Sequence, residues 1–256
     1  MPRMAALVLL LLLAALGSAR PSAGREPEQL LPLSRGKLDA SELQFLRVAQ
    51  TAVQYLNYQQ GSPSFLRRVV HLGKTSVRNI PGVGHEYSVR FYTKHIQTGQ
   101  NLGKCSAKVL YQKKTSKPMI EISCTDNKGA DQIRKDDFNL YRKLKATSSS
   151  DELKYFANIG SSYIAWKQSS EYVGYAMKEI KDAKKRVRGN TLEFDYTVLI
   201  GSDVSKDLYC HMNITWNLEL PIKVKYECFT EDISAESADG SGEESGSYDY
   251  FFESNF

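Results

Sequence analysis

The order of elements that the apolar pattern writes along this chain occurs twice: one amphipathic helix, then four strands. In the first round Phe45, Leu46, Ala49, Ala52, Val53 and Leu56 recur at helical spacing, Ser41 and Gln44 are placed as a capping box, and Gly61 follows as a stop. Strand-like runs follow at 65–79, 85–97, 103–113 and 118–125, parted by Pro-, Gly- and Lys-rich turns. A charged helical stretch over 131–145 leads to the second round. There Leu153, Phe156, Ala157, Gly160 and Ile164 form the helix stripe, and strands are expected at 171–187, 191–201, 208–217 and 222–229. The clearest strand is 191–200, where Leu192, Phe194, Tyr196, Val198 and Ile200 alternate with Thr191, Glu193, Asp195, Thr197 and Leu199. The fold class is therefore α+β, two tandem units in each of which one helix is wrapped by a curved four-stranded antiparallel sheet, with a linker helix between them. Gly160, in the middle of an apolar helix stripe, costs about 1 kcal/mol against Ala, which predicts that sheet backbone approaches the second helix closely there.

The four cysteines fit this duplication. An antiparallel hairpin keeps a constant sum of paired residue numbers. Setting Trp216 opposite Ile222 pairs Ile214 with Val224, Met212 with Tyr226 and Cys210 with Cys228, every pair apolar and on one face. In the first unit Val109 opposite Ile120 brings Ala107 to Ile122 and Cys105 to Cys124. Directly opposed strand residues lie about 4.5–5.5 Å apart at Cα, within the reach of a disulfide. The expected bridges are thus Cys105–Cys124 and Cys210–Cys228, each closing about 20 residues and adding roughly 3 kcal/mol in the chain-entropy model. None of the cysteines has a CxxC or nearby His partner at zinc spacing, so they read as staples.

The compartment follows from the first 19 residues. Arg3, an apolar run from Ala5 to Leu16 and the small residues Gly17 and Ala19 make a secretory signal peptide, with cleavage expected after Ala19. Residues 20–40 read as a loose lead-in, 41–127 as the first unit, 128–150 as the linker with its helix, 151–230 as the second unit and 231–256 as a tail expected to be disordered up to Tyr248. With 41% hydrophobic and 25% charged residues, the body buries a core. The tail holds 8 acidic residues and no Lys or Arg, so the net charge of +5 conceals a basic body beneath an acidic end.

Reactive chemistry is not written locally. The histidines, His71, His85, His95 and His211, form no HExxH helix, and there is no GxSxG elbow, Walker loop or GxGxxG turn. Glu193 and Asp195 share one strand face, which a solvated surface explains. The expectation is a non-enzyme without cofactor. Asn213-Ile-Thr215 is an N-glycosylation sequon on the outward face of its strand. Lys178, Lys181, Lys184, Lys185, Arg186 and Arg188 crowd the hairpin that opens the second sheet and suit a sulfated glycan, a matrix polymer or the chain's own tail; nucleic acid is not expected outside the cell. Ser234 and Ser241 each precede a Glu by two residues, a pattern that invites secretory-pathway phosphorylation and calcium or mineral binding. Tyr248, Tyr250, Phe251 and Phe252 make an apolar knot able to dock on a partner.

The runs YLNYQQGSPS from Tyr55, NIPGVGHEY from Asn79, YRKLK from Tyr141, SSYIAW from Ser161 and LEFDYTVL from Leu192 resemble the latexin family, whose two halves are cystatin-like. The leader, GKCSAKVLY from Gly103, the run Lys223–Tyr226 with Cys228, and the final Ser254-Asn255-Phe256 resemble that family's secreted branch, the retinoic acid receptor responder and ovocalyxin eggshell proteins. The resemblance implies a proteinaceous inhibitor of A-type zinc carboxypeptidases that docks over the enzyme's funnel with its second half. The alternative reading is an extracellular, eggshell-type matrix component that binds polymer or calcium mineral through its basic body and acidic tail, and the third is a regulatory interaction protein without inhibitory activity. The inhibitory loop it points to is Gly201–Asp207, with Ser202, Asp203, Val204, Ser205, Lys206 and Asp207 as candidates. Lys206 stands where latexin has Gln, placing a cation where a neutral polar group would face the zinc and an apolar pocket. Cystatins block papain-like enzymes with a Gln-x-Val-x-Gly hairpin; the matching hairpin here reads HIQTGQNLG from His95, and the motif is broken.

Overall fold

The first helix, α1 (Ala40–Gln60), begins on a carboxylate. Asp39 accepts a 2.8 Å hydrogen bond from the Glu42 amide and the Glu42 side chain accepts one from the Asp39 amide, closing a capping box two residues ahead of the expected Ser41 and Gln44. The Glu42 amide, and next the Ser41 hydroxyl, hold the Asp39 carboxyl below the usual carboxylate range. An ionised N-cap is favoured by the helix dipole, which is why the box settles there. Gly61 ends the helix at φ 57°, in the left-handed region. The structure, a computed structural model, describes residues 31–32, 39–115, 117–126, 128–146, 150–202, 204–230 and 253–254. The expected signal peptide falls outside them, as do Asp203, Ser234, Ser241 and the Tyr248–Phe252 knot.

After α1 come β2 (Arg67–Ile80), β3 (Gly84–His95), β4 (Asn101–Gln112) and β5 (Met119–Cys124), an antiparallel meander with the two-residue β1 (Leu31–Pro32) on its outer edge. Helices α2 (Ala130–Ala146) and α3 (Ser150–Gln168) follow, then β6 (Tyr175–Arg188), β7 (Thr191–Ser202), β8 (Leu208–Trp216) and β9 (Lys223–Thr230) in a second meander, with β10 (Glu253–Ser254) on its outer edge. The architecture is α+β with two repeated helix-and-sheet units. Both units place two register shifts in their first long strand, at Val69/His71 and Leu72/Thr75 in β2 and at Met177/Glu179 and Ile180/Asp182 in β6. Such bulges increase twist and bend the strand, which lets each sheet curl around its helix.

Register puts the cysteines face to face. Cys105 pairs with Cys124 and Cys210 with Cys228, each pair 4.1 Å apart at Cα and disulfide-bonded. In the first unit Val48, Ala49, Ala52 and Val53 of α1 pack against Leu72, Val89, Phe91, Ala107 and Val109. In the second, Phe156, Ala157 and Ile164 of α3 meet Phe194, Val198, Ile200, Met212 and Ile214, with the Phe156 and Phe194 rings stacked at 4.0 Å. The far side of α3 is covered as well, because Tyr163 and Trp166 lie against Tyr58 and Tyr55 of α1 at 4.3 and 5.0 Å between rings. A helix covered on both sides is apolar nearly all round, which explains the broad stripe of its sequence.

Gly160 corrects one expectation. A Cβ there would lie 2.6 Å from Met212 Sδ and 2.7 Å from Ile214 Cδ1, so the close approach is to side chains of β8 and not to sheet backbone. Gly160→Val is expected to destabilise by about 1–3 kcal/mol through overpacking, despite its better helix propensity. A thermal midpoint equal to that of the parent chain would contradict the contact.

The expected strand from 171 begins four residues later, at Tyr175, because Glu171 is used otherwise. Its carboxylate lies 2.8 Å from both His85 Nδ1 and Tyr87 Oη of the first sheet. Gln54 of α1 donates to the Tyr175 carbonyl at 2.7 Å. At the other end of the interface, Asp137 of α2 accepts from the Ser62 and Ser64 hydroxyls at 3.0 and 2.7 Å. The first unit is therefore tied to the second through Gln54, His85 and Tyr87, and to the linker helix through Asp137.

Candidate docking surface

The β7–β8 connection follows a strand whose inner residues are buried in the second core, so its base is fixed before its tip is considered. Gly201 is buried at that base, and a Cβ there would fall 1.9 Å from Lys178 Cε of β6. Glycine thus lets the Lys178 side chain cross the strand and reach Asp207, whose two carboxylate oxygens accept from its Nζ at 2.7 and 2.8 Å. The same carboxylate accepts from the Ser202 amide at 3.3 Å, which closes the connection on itself. Lys178 foremost holds the Asp207 carboxyl below the usual range, against desolvation, with the Ser202 amide adding to the lowering. Beyond this latch Val204, Ser205 and Lys206 are exposed, Val204 at 57%, while the Tyr175 hydroxyl meets Ser205 Oγ at 3.3 Å. A tip projecting from a locked base loses less freedom on binding than a free loop would.

Beside the tip lies an aromatic pair that the wet-face pattern of β8 and β9 conceals. The register that opposes Cys210 and Cys228 also opposes Tyr209 and Phe229, whose rings stack at 6.3 Å on the outer face, with Phe229 43% exposed. That register was readable in the sequence, but a buried-face criterion passes over both rings.

The six cations lie on β6, the edge strand of the β6–β7 hairpin. They run along the whole edge strand, and each has a partner: Lys178 has Asp207, Lys181 has Glu179 at 2.7 Å, Lys184 has Asp182 at 3.0 Å, Lys185 donates to the Leu144 carbonyl, Arg186 pairs with Asp195, and Arg188 with Glu193 at 3.2 Å. Six cations thus meet five carboxylates, and the stripe is close to neutral. Glu193 and Asp195, the paired carboxylates, are absorbed in it. Cationic side chains on an exposed edge also discourage edge-to-edge pairing. Asn213 is on the outer face as expected, its amide donating to Asp195 Oδ1 at 2.7 Å.

The hairpin that corresponds to the cystatin wedge turns inward. Ile96 donates its amide to the Leu66 carbonyl and packs against the second unit's core. His95, buried, accepts the Gln97 and Thr98 amides at Nδ1, 3.3 and 3.2 Å, and its Nε2 donates to the Ser64 carbonyl at 3.1 Å. These partners fix the neutral tautomer, and burial lowers the His95 pKa from its ordinary 6.5. With the folded pKa depressed, this contribution is complete above the unfolded value of 6.5 and is lost as pH falls from there through the folded pKa. His95→Gln is expected to flatten the decline in stability on that acid side, checked by urea melts between pH 7 and 5.

Among the described residues no group of three or more His, Cys, Asp or Glu is placed to hold a metal ion, and no helix is long and apolar enough to cross a membrane. The geometry defines a duplicated helix-and-sheet scaffold, cross-linked within each unit, that carries a latched β7–β8 connection and a Tyr209–Phe229 ring pair on its outer face. The chain belongs to the latexin family, whose model matches residues 38–154 and again 146–233. It is 33% identical to ovocalyxin-32 of Gallus gallus over 252 residues, covering 91% of this chain and 90% of that one. Retinoic acid receptor responder protein 1 of Homo sapiens is 26% identical, covering 77% and 76%, and human latexin 28%, covering 70% and 90%.

Proposed function

We propose that this chain is a secreted, latexin-like inhibitor of A-type zinc carboxypeptidases that closes the enzyme's funnel with the β7–β8 connection. The observation that carries this reading is the latch of Asp207 on Lys178 and the Ser202 amide, which presents Val204, Ser205 and Lys206 from a fixed base. Inhibition by such a tip is steric: the funnel is occupied and the enzyme's zinc is denied its substrate, with no reaction asked of the inhibitor. The apolar leader and the two disulfides favour an extracellular, oxidising setting. The native chain is expected to slow carboxypeptidase A saturably at micromolar concentration. Unchanged hydrolysis with both the native chain and Lys206→Gln would end the proposal.

A second reading, a component of an extracellular matrix that binds polymer or calcium mineral, is favoured by the likeness to ovocalyxin-32 across nearly the whole chain. The pairing of the β6 cations shifts that role to the acidic tail, with Ser234 and Ser241 as its phosphorylation sites and Asn213 as a glycan site. Retention on calcium carbonate that drops when residues 231–256 are removed would support it, and equal retention would remove the tail from the mechanism.

A further inference from the structure

The positive charge of the body is lodged in its first half. Residues 41–127 hold 12 Lys and Arg against 4 Asp and Glu, whereas 151–230 hold 11 of each sign. The cations of β6 are matched by nearby carboxylates, and the first unit has too few carboxylates to do the same. Register shows where its surplus lies, because directly opposed residues share a sheet face. Val89, Phe91, Ala107 and Val109 face the core. Ser88, Arg90, Tyr92 and Lys94 of β3 therefore turn outward, as do Lys104, Ser106 and Lys108 of β4. On β2 the exposed Arg68 opposes Lys94, and the register shift between Leu72 and Thr75 sets Gly73 and the exposed Lys74 opposite Arg90.

We infer that the outer face of the first sheet is a binding site for a sulfated polysaccharide, held by Arg68, Lys74, Arg90, Lys94, Lys104 and Lys108. Among the described residues Arg68, Lys74, Arg90, Lys94 and Lys108 make no ion pair, which sets them apart from the cations of β6. Lys104 lies over the Tyr92 ring, its Nζ 4.9 Å from the centroid, which keeps it on this face. The carboxylates that the same register places there are Glu86, taken by Arg78 at 2.9 Å, and Glu121, opposite Lys108 on β5. Neighbouring strands lie about 4.8 Å apart and outward residues recur about every 6.8 Å along each, so the cations form a lattice across three strands and not a single point. A polymer with a repeated anion matches such a lattice, whereas a lone anion engages only a fraction of it.

The rest of the face suits sulfate. Ser76 opposes Ser88, and Ser106 opposes both Arg90 and Ser123, so small hydroxyl donors stand between the cations and leave room for a chain to lie across them. The two arginines each present a planar fork that fits two oxygens of one anion. The exposed apolar side chains Val77, Val83 and Met119 gather at the β2–β3 hairpin end, so the cationic rows offer nothing to insert among lipid chains. The two disulfides favour an oxidising, extracellular setting, where abundant linear polyanions are sulfated polysaccharides. The site lies on the first unit, apart from the β7–β8 connection and the acidic tail, so the inference rests on neither reading of the function.

Heparin binding by the full chain, measured by surface plasmon resonance over a range of NaCl concentrations, tests it. The native chain binds at physiological ionic strength, and binding weakens steeply as salt is raised. Arg68→Gln/Arg90→Gln/Lys108→Gln, which takes one exposed cation from each of three strands, weakens binding at least tenfold. Lys181→Gln/Lys184→Gln/Arg188→Gln, which removes the same charge from β6, changes it less than threefold. Equal losses in the two triple variants would overturn the inference, because net charge alone would then account for the binding. So would a native chain that does not bind heparin, or binding that appears only once residues 231–256 are deleted, since the chain's own acidic tail would then be the occupant. Tighter binding to phosphatidylserine vesicles than to heparin, with the same pattern of loss, would assign the face to a membrane surface and overturn it as well.

Discussion

Asp126→Ala is expected to destabilise the first unit by about 3 kcal/mol, near the lower end of what breaking a buried ion pair costs, because Asp126 itself is partly exposed. Its partner Arg67 is wholly buried, held by hydrogen bonds from Nη1 to Thr93 Oγ1 and the Leu102 carbonyl at 3.0 and 3.1 Å, and by the Asp126 carboxylate at Nη2. The Phe65 ring lies 4.8 Å from the guanidinium, and Asn57 clasps the Arg67 backbone, accepting its amide and donating to its carbonyl at 2.9 Å each. Removing the carboxylate leaves a cation enclosed with no counter-charge. Burial lowers the Arg67 pKa and Asp126 opposes that shift, but a guanidinium stays ionised in either case. The double variant Arg67→Met/Asp126→Ala is expected to recover part of the loss, because an apolar side chain needs no counter-ion. Urea denaturation of both variants checks this, and a double variant weaker than Asp126→Ala alone would refute the assignment.

Lys206→Gln is expected to tighten inhibition of carboxypeptidase A about tenfold, equivalent to about 1.4 kcal/mol. The ammonium at an exposed tip would have to shed water and approach a zinc cation, whereas a neutral amide meets neither cost. The sign distinguishes a docking tip from a bystander, since a residue outside the interface leaves the inhibition constant unmoved. Asp207→Ala has the opposite expected effect, because it releases the latch on Lys178 and the Ser202 amide and frees the tip.

The duplication, both disulfides and the strand pairings around them were legible because they depend on period and register, which the sequence carries directly. Caps and ends were less so. Asp39-x-x-Glu42 and Ser41-x-x-Gln44 satisfy the same spacing, and only the strength of a carboxylate acceptor separates them. The early start expected for β6 took in Glu171, whose pairing with His85 and Tyr87 spans 86 and 84 residues, a distance no local pattern reports. Arg67 lay in a predicted strand, but charged residues are so commonly exposed that alternation gave no reason to bury it. The basic stripe misled in the opposite way. Its cations are adjacent in sequence, while Glu193, Asp195 and Asp207, which neutralise half of them, arrive only when β7 and the β7–β8 connection fold beside β6.

Hydrogen exchange of the native chain with and without carboxypeptidase A maps the docking surface directly. The expected footprint is slowed exchange from Ser202 through Tyr209, with Phe229 included and the β2–β3 hairpin of the first unit unchanged. A footprint confined to the first unit, or no change anywhere at concentrations that saturate the enzyme, would contradict the assignment of docking to the β7–β8 connection.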